Sequence, residues 1–138
     1  MTEKLNIALI GCGSWGKNIA RNLHQIGTLA CIYDTDQNLL QKLNQNFNLP
    51  TYSINDIFKN EKIQALVIAS SAKTHKDLAE EALLNNKDVL IEKPFCLSLS
   101  DATNLSKLAI KKNRVLMVGH LLNYHNAFIK MKDLIREG

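Results

Sequence analysis

Residues 7–16, Ile7-Ala8-Leu9-Ile10-Gly11-Cys12-Gly13-Ser14-Trp15-Gly16, join an apolar run to a glycine-rich turn that opens into a helical pattern. The three glycines have the G-x-G-x-x-G spacing of a strand-to-helix turn that binds a dinucleotide. Gly11 lets the chain turn off the strand, Gly13 leaves room for a pyrophosphate, and Gly16 lets the helix approach the sheet. The helix N-terminus then offers N–H groups to the phosphates. Small residues are common in such turns, so the rest of the chain must support this interpretation.

Apolar strand patterns alternate with amphipathic helix patterns along the whole chain. Strands are predicted over residues 4–10, 28–33, 51–52, 63–69, 88–91 and 115–118. Helices are predicted over residues 14–26, 37–47, 54–59, 74–85, 100–112 and about 123–137, with Thr74 and Ser100 as N-caps of the fourth and fifth. This alternation predicts an α/β fold, a doubly wound parallel sheet of about six strands with helices on both faces. The expected strand order is 3-2-1-4-5-6, with ligands at the carboxyl ends of the strands.

Asp34 follows the second predicted strand, 18 positions after Gly16. A carboxylate at this place accepts hydrogen bonds from the adenosine ribose hydroxyls and repels a 2′-phosphate, so NAD is favoured over NADP. No arginine comes directly after Asp34, which also weakens the case for NADP. The alternative is that Asp34 caps the next helix, because aspartate is common at helix starts.

Small polar residues follow the strand predicted at 63–69. Ser70 and Ser71 end it, and His75 lies in the first turn of the next helix. At the carboxyl edge of the sheet these residues would border a bound cofactor. Such a loop also forms for structural reasons alone, and a lone histidine at a helix start more often packs or caps than it catalyses.

Glu92-Lys93-Pro94 closes the strand at 88–91. Proline restricts the residue before it to an extended conformation, which would aim Lys93 from the carboxyl edge of the sheet towards a nicotinamide. A lysine there can hydrogen-bond a substrate hydroxyl and assist the loss of its proton. The alternative interpretation is an ordinary solvated Glu-Lys pair in a loop.

Composition places the chain among ordinary globular domains. It has 138 residues, 46% hydrophobic and 22% charged, with a net charge of +4. The basic residues are scattered and form no nucleic-acid stripe, and the apolar runs are too short to span a bilayer. Three cysteines without C-x-x-C spacing favour reduced thiols in a cytoplasmic protein. His120 and His125 have no third ligand nearby in sequence, so we expect no metal site.

Three motifs together resemble the N-terminal domain of the Gfo/Idh/MocA oxidoreductases: G-C-G-S-W-G at 11–16, S-S-x-x-T-H at 70–75 and E-K-P at 92–94. E-K-P is the most specific of them, and the resemblance runs from about residue 5 to the end. The stretch 117–128, MVGHLLNYHNAF, is similar to that of a subset, the sugar-nucleotide 3-dehydrogenases. The resemblance implies an NAD(P)-dependent dehydrogenase that acts on a sugar, polyol or nucleotide-sugar hydroxyl.

The resemblance also implies roles for individual residues. Lys93 would be the catalytic lysine, and Glu92 would support it near the cofactor. His120 and Tyr124 would face the substrate. The residues that would hold or border the dinucleotide are Gly11, Gly13, Ser14, Trp15, Gly16, Asp34, Ser70, Ser71, His75, Glu92 and Lys93.

Members of this family are roughly twice as long or more. Their second domain, built on an open β-sheet, supplies most of the substrate pocket, the catalytic histidine and the dimer face. We therefore expect residues 1–138 to be one dinucleotide-binding domain, with the substrate domain missing and a homo-oligomer in the full-length enzyme. The alternative is a stand-alone dinucleotide-binding module that regulates a partner without catalysis.

Overall fold

The computed structural model describes residues 4–138. Within these residues there are five strands: β1 (Ile7–Ile10), β2 (Leu29–Tyr33), β3 (Ala65–Ile68), β4 (Asp88–Ile91) and β5 (Leu116–Val118). Six α-helices accompany them: α1 (Gly16–Gln25), α2 (Gln37–Asn44), α3 (Ile54–Lys59), α4 (Ala72–Leu84), α5 (Leu99–Lys112) and α6 (Asn126–Glu137). A short 3-10 turn, Leu121–Tyr124, lies between β5 and α6. No helix within residues 4–138 is both long and apolar enough to cross a membrane.

The strands form one parallel sheet in the order β2-β1-β3-β4-β5. Ile7 of β1 pairs with Leu29 of β2 and with Ala65 of β3, so β1 lies between strands from both halves of the chain. This arrangement confirms the predicted doubly wound parallel sheet. Its carboxyl edge brings together the loops that follow β1 to β5.

The strand predicted at 51–52 does not form, so the described part of the sheet has five strands rather than six. Thr51 and Tyr52 are exposed and irregular, between Pro50 and Ser53, the N-cap of α3. Proline has no N–H to donate to a sheet, and two residues are too few to pair. Without this strand, the expected order 3-2-1-4-5-6 becomes the observed one.

Two predicted helix caps were wrong. Ser71, not Thr74, is the N-cap of α4, and the Thr74 hydroxyl donates to the Ser71 carbonyl at 2.9 Å. Helix α5 begins after Ser98, whose hydroxyl oxygen accepts from the Asp101 N–H at 3.1 Å, so Ser100 lies inside the first turn. In both cases a serine two or three residues upstream has the extended backbone that a cap requires.

The core consists of two apolar layers on opposite faces of the sheet. Alternate strand residues supply them, since Ala8 and Ile10 belong to one layer and Leu9 to the other. Leu66 and Val67 divide in the same way on β3. Both faces of the sheet are therefore buried under helices, as the continuous apolar runs predict. Helix α6 lies beside the 3-10 turn and buries none of its residues.

We expect Leu66→Ala to lower the free energy of unfolding by about 2 to 5 kcal/mol, because Leu66 is fully buried and the change leaves a cavity. Ile110→Ala is the matched control, since Ile110 is 80% exposed, and surface changes of this kind usually stay within about 0.5 kcal/mol. Urea denaturation followed by circular dichroism measures both. Equal effects of the two substitutions would contradict the two-layer core.

Candidate functional site

The glycine turn after β1 is tightly enclosed on one side and open on the other. Gly11 has φ +96°, and a Cβ there would overlap the backbone of Ala69 and Ser70 beyond β3. A Cβ at Gly16 would overlap the carbonyl oxygen of Gly11. Gly13, in contrast, has nothing within 4 Å of the position of a Cβ. Each glycine thus has the surroundings that its predicted task requires.

The N-terminus of α1 has no side-chain cap, and the N–H groups of Lys17 and Asn18 donate to the backbone carbonyls of Gly13 and Trp15. Trp15 is its N-cap, and no acidic residue lies in its first turn. Ser14 and Trp15 form an exposed turn in front of the helix, so α1 begins two residues later than predicted. An uncapped helix N-terminus beside an open glycine fits the pyrophosphate of a dinucleotide.

Asp34 connects the ends of β1 and β2. Its carboxylate accepts the Cys12 N–H at 2.6 Å and the Asp36 N–H at 2.9 Å. The cap of α2 is Asp36, which accepts from the N–H groups of Asn38 and Leu39. Asp36, not Asp34, is therefore the cap of this helix, so the alternative interpretation of Asp34 as a helix cap was wrong. The remaining lone pairs of the Asp34 carboxylate are compatible with bonds from ribose hydroxyls.

Burial of the thiol, together with the nearby charge of Asp34, raises the pKa of Cys12 to about 12. Burial likewise raises the pKa of Cys31 to about 12. Both thiols therefore stay protonated at neutral pH and serve as small apolar side chains beneath the glycine turn and in β2.

Two cavities lie at the carboxyl edge of the sheet and meet at Ala69 and Ser70. The glycine-turn cavity, of about 470 Å³, lies between the glycine turn and Asp34. Its lining is Ile10, Gly11, Gly13, Tyr33, Asp34, Thr35, Ile54, Ala69, Ser70, Ser71, Thr74 and Leu78. The reaction cavity, of about 780 Å³, is lined by Trp15, Ala69, Ser70, Glu92, Lys93, Gly119, His120, Leu121, Leu122 and Asn123. The pair suits one elongated ligand that passes over the glycine turn.

Glu92 is fixed by two neighbours within the reaction cavity. The Trp15 indole N–H donates to its Oε1 at 2.8 Å. A Cβ on Gly119 would lie 2.9 Å from the same oxygen, so the carboxylate packs directly against this glycine. Lys93 is exposed, and no ion pair joins it to Glu92 in the described part of the chain. The simple solvated Glu-Lys pair is therefore not what forms here.

His75 is almost completely buried, with 1% of its surface exposed. Its Nδ1 lies 2.8 Å from the carbonyl oxygen of Pro94, and its Nε2 lies 3.2 Å from that of Ser70. The ring is thus held under the loops and is absent from the lining of both cavities. His75 was predicted to border the cofactor, and the structure places it beneath the loops that border the two cavities.

The two residues predicted to face the substrate differ in position. His120 lines the reaction cavity, whereas Tyr124, at the end of the 3-10 turn, is 66% exposed and outside its lining. Leu121, Leu122 and Asn123 line the cavity instead. A 3-10 turn directs successive side chains differently from the helix predicted to begin near residue 123. Gly119, a glycine directly after a strand, was the available signal for a close contact there.

Among residues 4–138, no three histidine, cysteine, aspartate or glutamate side chains come together as metal ligands. The polar groups of the site are suited to an organic ligand with phosphates and hydroxyls. Fold, glycine turn and paired cavities define a dinucleotide-binding domain of the Rossmann type.

Residues 5–120 match the family model described as the oxidoreductase family with an NAD-binding Rossmann fold, GFO_IDH_MocA. The chain belongs to the Gfo/Idh/MocA family, and its fold is the NAD-binding Rossmann fold of that family.

Similar proteins include several that act on sugars and polyols. A 2,7-anhydro-N-acetylneuraminate hydratase of Escherichia coli (strain K12) is 28% identical and matches 97% of this chain and 36% of its own length. The inositol 2-dehydrogenase of Rubrobacter xylanophilus is 27% identical, with 99% of this chain and 41% of that protein covered. This chain therefore spans about two fifths of the length of these relatives.

Solved structures of full-length relatives have the same fold in the region that they share. GenD2 from gentamicin A biosynthesis, in complex with NAD, is 27% identical with a TM-score of 0.90 over 97% of this chain and 39% of that one. The UDP-N-acetylglucosamine 3-dehydrogenase GnnA from Acidithiobacillus ferrooxidans is 25% identical with a TM-score of 0.88 over 96% of this chain and 44% of that one.

We expect Gly13→Ala to weaken NAD binding without lowering the melting temperature, because a methyl group there fills ligand space and contacts no protein atom. A tenfold rise in Kd corresponds to a steric penalty of about 1.4 kcal/mol. Gly16→Ala is the contrasting variant, since its methyl group would overlap the Gly11 carbonyl and destabilise the fold. Calorimetric titration and thermal melts separate the two effects. A Gly13→Ala protein with unchanged Kd would show that no phosphate approaches this glycine.

Proposed function

We propose that this chain is the cofactor-binding domain of an NAD-dependent dehydrogenase that oxidises a hydroxyl-bearing carbon of a sugar, polyol or nucleotide sugar. The observation that carries the proposal is the reaction cavity, which joins the glycine-turn cavity at Ala69 and Ser70 and presents Lys93 within it. The relatives named as inositol and UDP-N-acetylglucosamine dehydrogenases support this substrate class.

The glycine turn, the N-terminus of α1 and Asp34 would hold the pyrophosphate and the adenosine ribose. When bound, the nicotinamide ring supplies the hydride acceptor, and the protein orients it. The reaction cavity would receive the nicotinamide end, with the Trp15 indole and the paired Glu92 carboxylate as part of its wall. The absence of an acidic residue in the first turn of α1 avoids repulsion of the phosphates.

Lys93 would act on the substrate hydroxyl. The Lys93 side chain lines the reaction cavity, is exposed and has no ion-pair partner in residues 4–138, so it is available for a substrate oxygen. In the oxidation direction it would hydrogen-bond that oxygen and help the hydroxyl proton leave. His120 and Asn123, on the opposite loop, would contact the sugar hydroxyls.

The proposal includes a second domain, outside this sequence, that completes the substrate pocket and supplies a further catalytic group. The reaction cavity supports it, because the part of its lining beyond His120 consists of exposed residues of the 3-10 turn, Leu121, Leu122 and Asn123. A homo-oligomer of the full-length protein is part of the same proposal.

The decisive experiment is turnover by the full-length protein with a panel of inositols, sugars and nucleotide sugars, followed by NADH absorbance. We expect Lys93→Met to lower kcat by about 100-fold or more, as the loss of a general acid or base does. Lys107→Met, an exposed lysine on α5, should leave kcat unchanged.

Each alternative outcome has a distinct meaning. NADH that accumulates in proportion to product shows a dehydrogenase. Product without net NADH would instead match the hydratase named among the relatives. NADH binding with no turnover of any substrate would favour a dinucleotide-binding module. Full activity of the Lys93→Met protein would refute the role of Lys93.

Asp34 should determine the preference for NAD over NADP. Trp15 is the single tryptophan of the chain and lines the reaction cavity, so energy transfer from its indole to NADH or NADPH reports binding directly. We expect Asp34→Asn, which keeps an acceptor for the Cys12 N–H but removes the charge, to narrow the ratio of the two Kd values by about tenfold, or 1.4 kcal/mol.

Asp34→Ala removes both the charge and the contact with the glycine turn, so it should weaken both cofactors as well. An Asp34→Asn protein that keeps the original ratio of affinities would contradict the assignment of this carboxylate to the ribose.

A further inference from the structure

His75 is the most buried polar side chain of the described core, with 1% of its surface exposed. It lies one turn into α4, where the helix starts beneath the carboxyl edge of the sheet. Its two ring nitrogens lie against two carbonyl oxygens on different loops, at 2.8 Å from Pro94 and 3.2 Å from Ser70. A buried side chain with both polar atoms engaged has few other positions open to it.

The two loops joined by His75 are those that border the reaction cavity. Ser70 lies two residues after the end of β3 and lines both cavities, and Pro94 directly follows Lys93. The ring therefore lies between two stretches of backbone: that of Ser70, where the cavities meet, and that of Pro94, next to Lys93.

We propose that His75 is a positioning residue for Lys93, acting through the hydrogen bond to the Pro94 carbonyl. The inference rests on the proposed function, since it concerns the lysine that the reaction would use. The Lys93 side chain is exposed, and within residues 4–138 no ion pair restrains it. The four-carbon stem of the lysine is flexible. The fold can therefore position Lys93 mainly through its backbone.

Placement matters because a displacement of about 1 Å at a reacting group costs on the order of 100-fold in rate. Both partners of the ring are acceptors, so each contact requires a ring N–H, and a neutral imidazole has one. We assign it to Nδ1, where the contact is shorter. That assignment makes Pro94, rather than Ser70, the partner on which Lys93 depends.

The test compares three substitutions in the full-length protein. His75→Asn keeps an amide donor near the position of Nδ1, whereas His75→Gln places its donor near that of Nε2, and His75→Leu has no donor. We expect His75→Leu to lower kcat by about 10- to 100-fold with the Kd for NADH within about threefold of the unsubstituted protein. His75→Asn should recover most of kcat, and His75→Gln should not.

His24→Leu is the matched control, because His24 is exposed on α1 and stacks against Phe47. It should leave kcat unchanged. If His75→Leu does not fold, the comparison of the Asn and Gln variants decides. The proposal is overturned if His75→Asn is no better than His75→Gln, or if the Kd for NADH rises as much as kcat falls.

A second readout does not require turnover. Reductive ¹³C-methylation of the lysines gives a Lys93 resonance, identified by its loss in Lys93→Arg. In the cofactor-free protein it should shift in His75→Leu and keep its position in His75→Asn. An unchanged resonance in His75→Leu overturns the positioning role. Failure of the proposed function appears differently, as an unsubstituted protein that neither binds NADH nor turns over any substrate.

Discussion

The contact on which the site depends is the packing of backbone against backbone at the glycine turn. Gly16 brings the start of α1 onto the carbonyl of Gly11, and Gly11 in turn lies against the chain that leaves β3 at Ala69 and Ser70. No side chain fits between these segments. The first turn of α1 is thereby held at the sheet edge, beside the open position at Gly13. This backbone contact has two effects. It fixes the glycine turn, where the proposed phosphate site lies, and it shapes the point where the two cavities meet.

The parallel sheet by itself brings the remaining residues of the site to one edge. Each strand ends at the same edge, so Asp34, Ser70, Glu92 and Gly119 come together although they are far apart in sequence. Specific bonds then refine this placement. The Asp34 carboxylate joins the ends of β1 and β2, the Trp15 indole joins α1 to the end of β4, and the His75 ring joins the ends of β3 and β4. Of these three side chains only that of His75 is buried, with 1% of its surface exposed, so its ring is the one least accessible to water.

Periodicity and turn chemistry were sufficient to predict most of the fold, because the fold follows largely from local patterns. Helix and strand periods, together with glycine spacing, depend on neighbouring residues, and they correctly indicated the order of the sheet. The strand predicted at Thr51 and Tyr52 does not form. A strand needs the edge of another strand to pair with, and a short local sequence pattern does not show whether one is available. The Trp15–Glu92 bond spans 77 positions, and the burial of His75 depends on the path of the loop at Pro94. Such contacts depend on the assembled fold. The sequence therefore indicated Trp15, Glu92 and His75 as residues of interest, but not the contacts that they make.

The position of β1 between β2 and β3 has a consequence for how the protein is made. During synthesis, residues 7–10 and β2 can pair early, yet β1 remains half unpaired until residues 65–68 have left the ribosome. The enclosure of Gly11 requires Ala69 and Ser70, so the ligand turn acquires its shape only when about half of the chain has emerged. Closing a contact over such a separation is slow compared with forming a helix. The nascent chain therefore passes through an interval in which an apolar strand edge is open, and this interval is when a chaperone or an early ligand would have the greatest effect on yield.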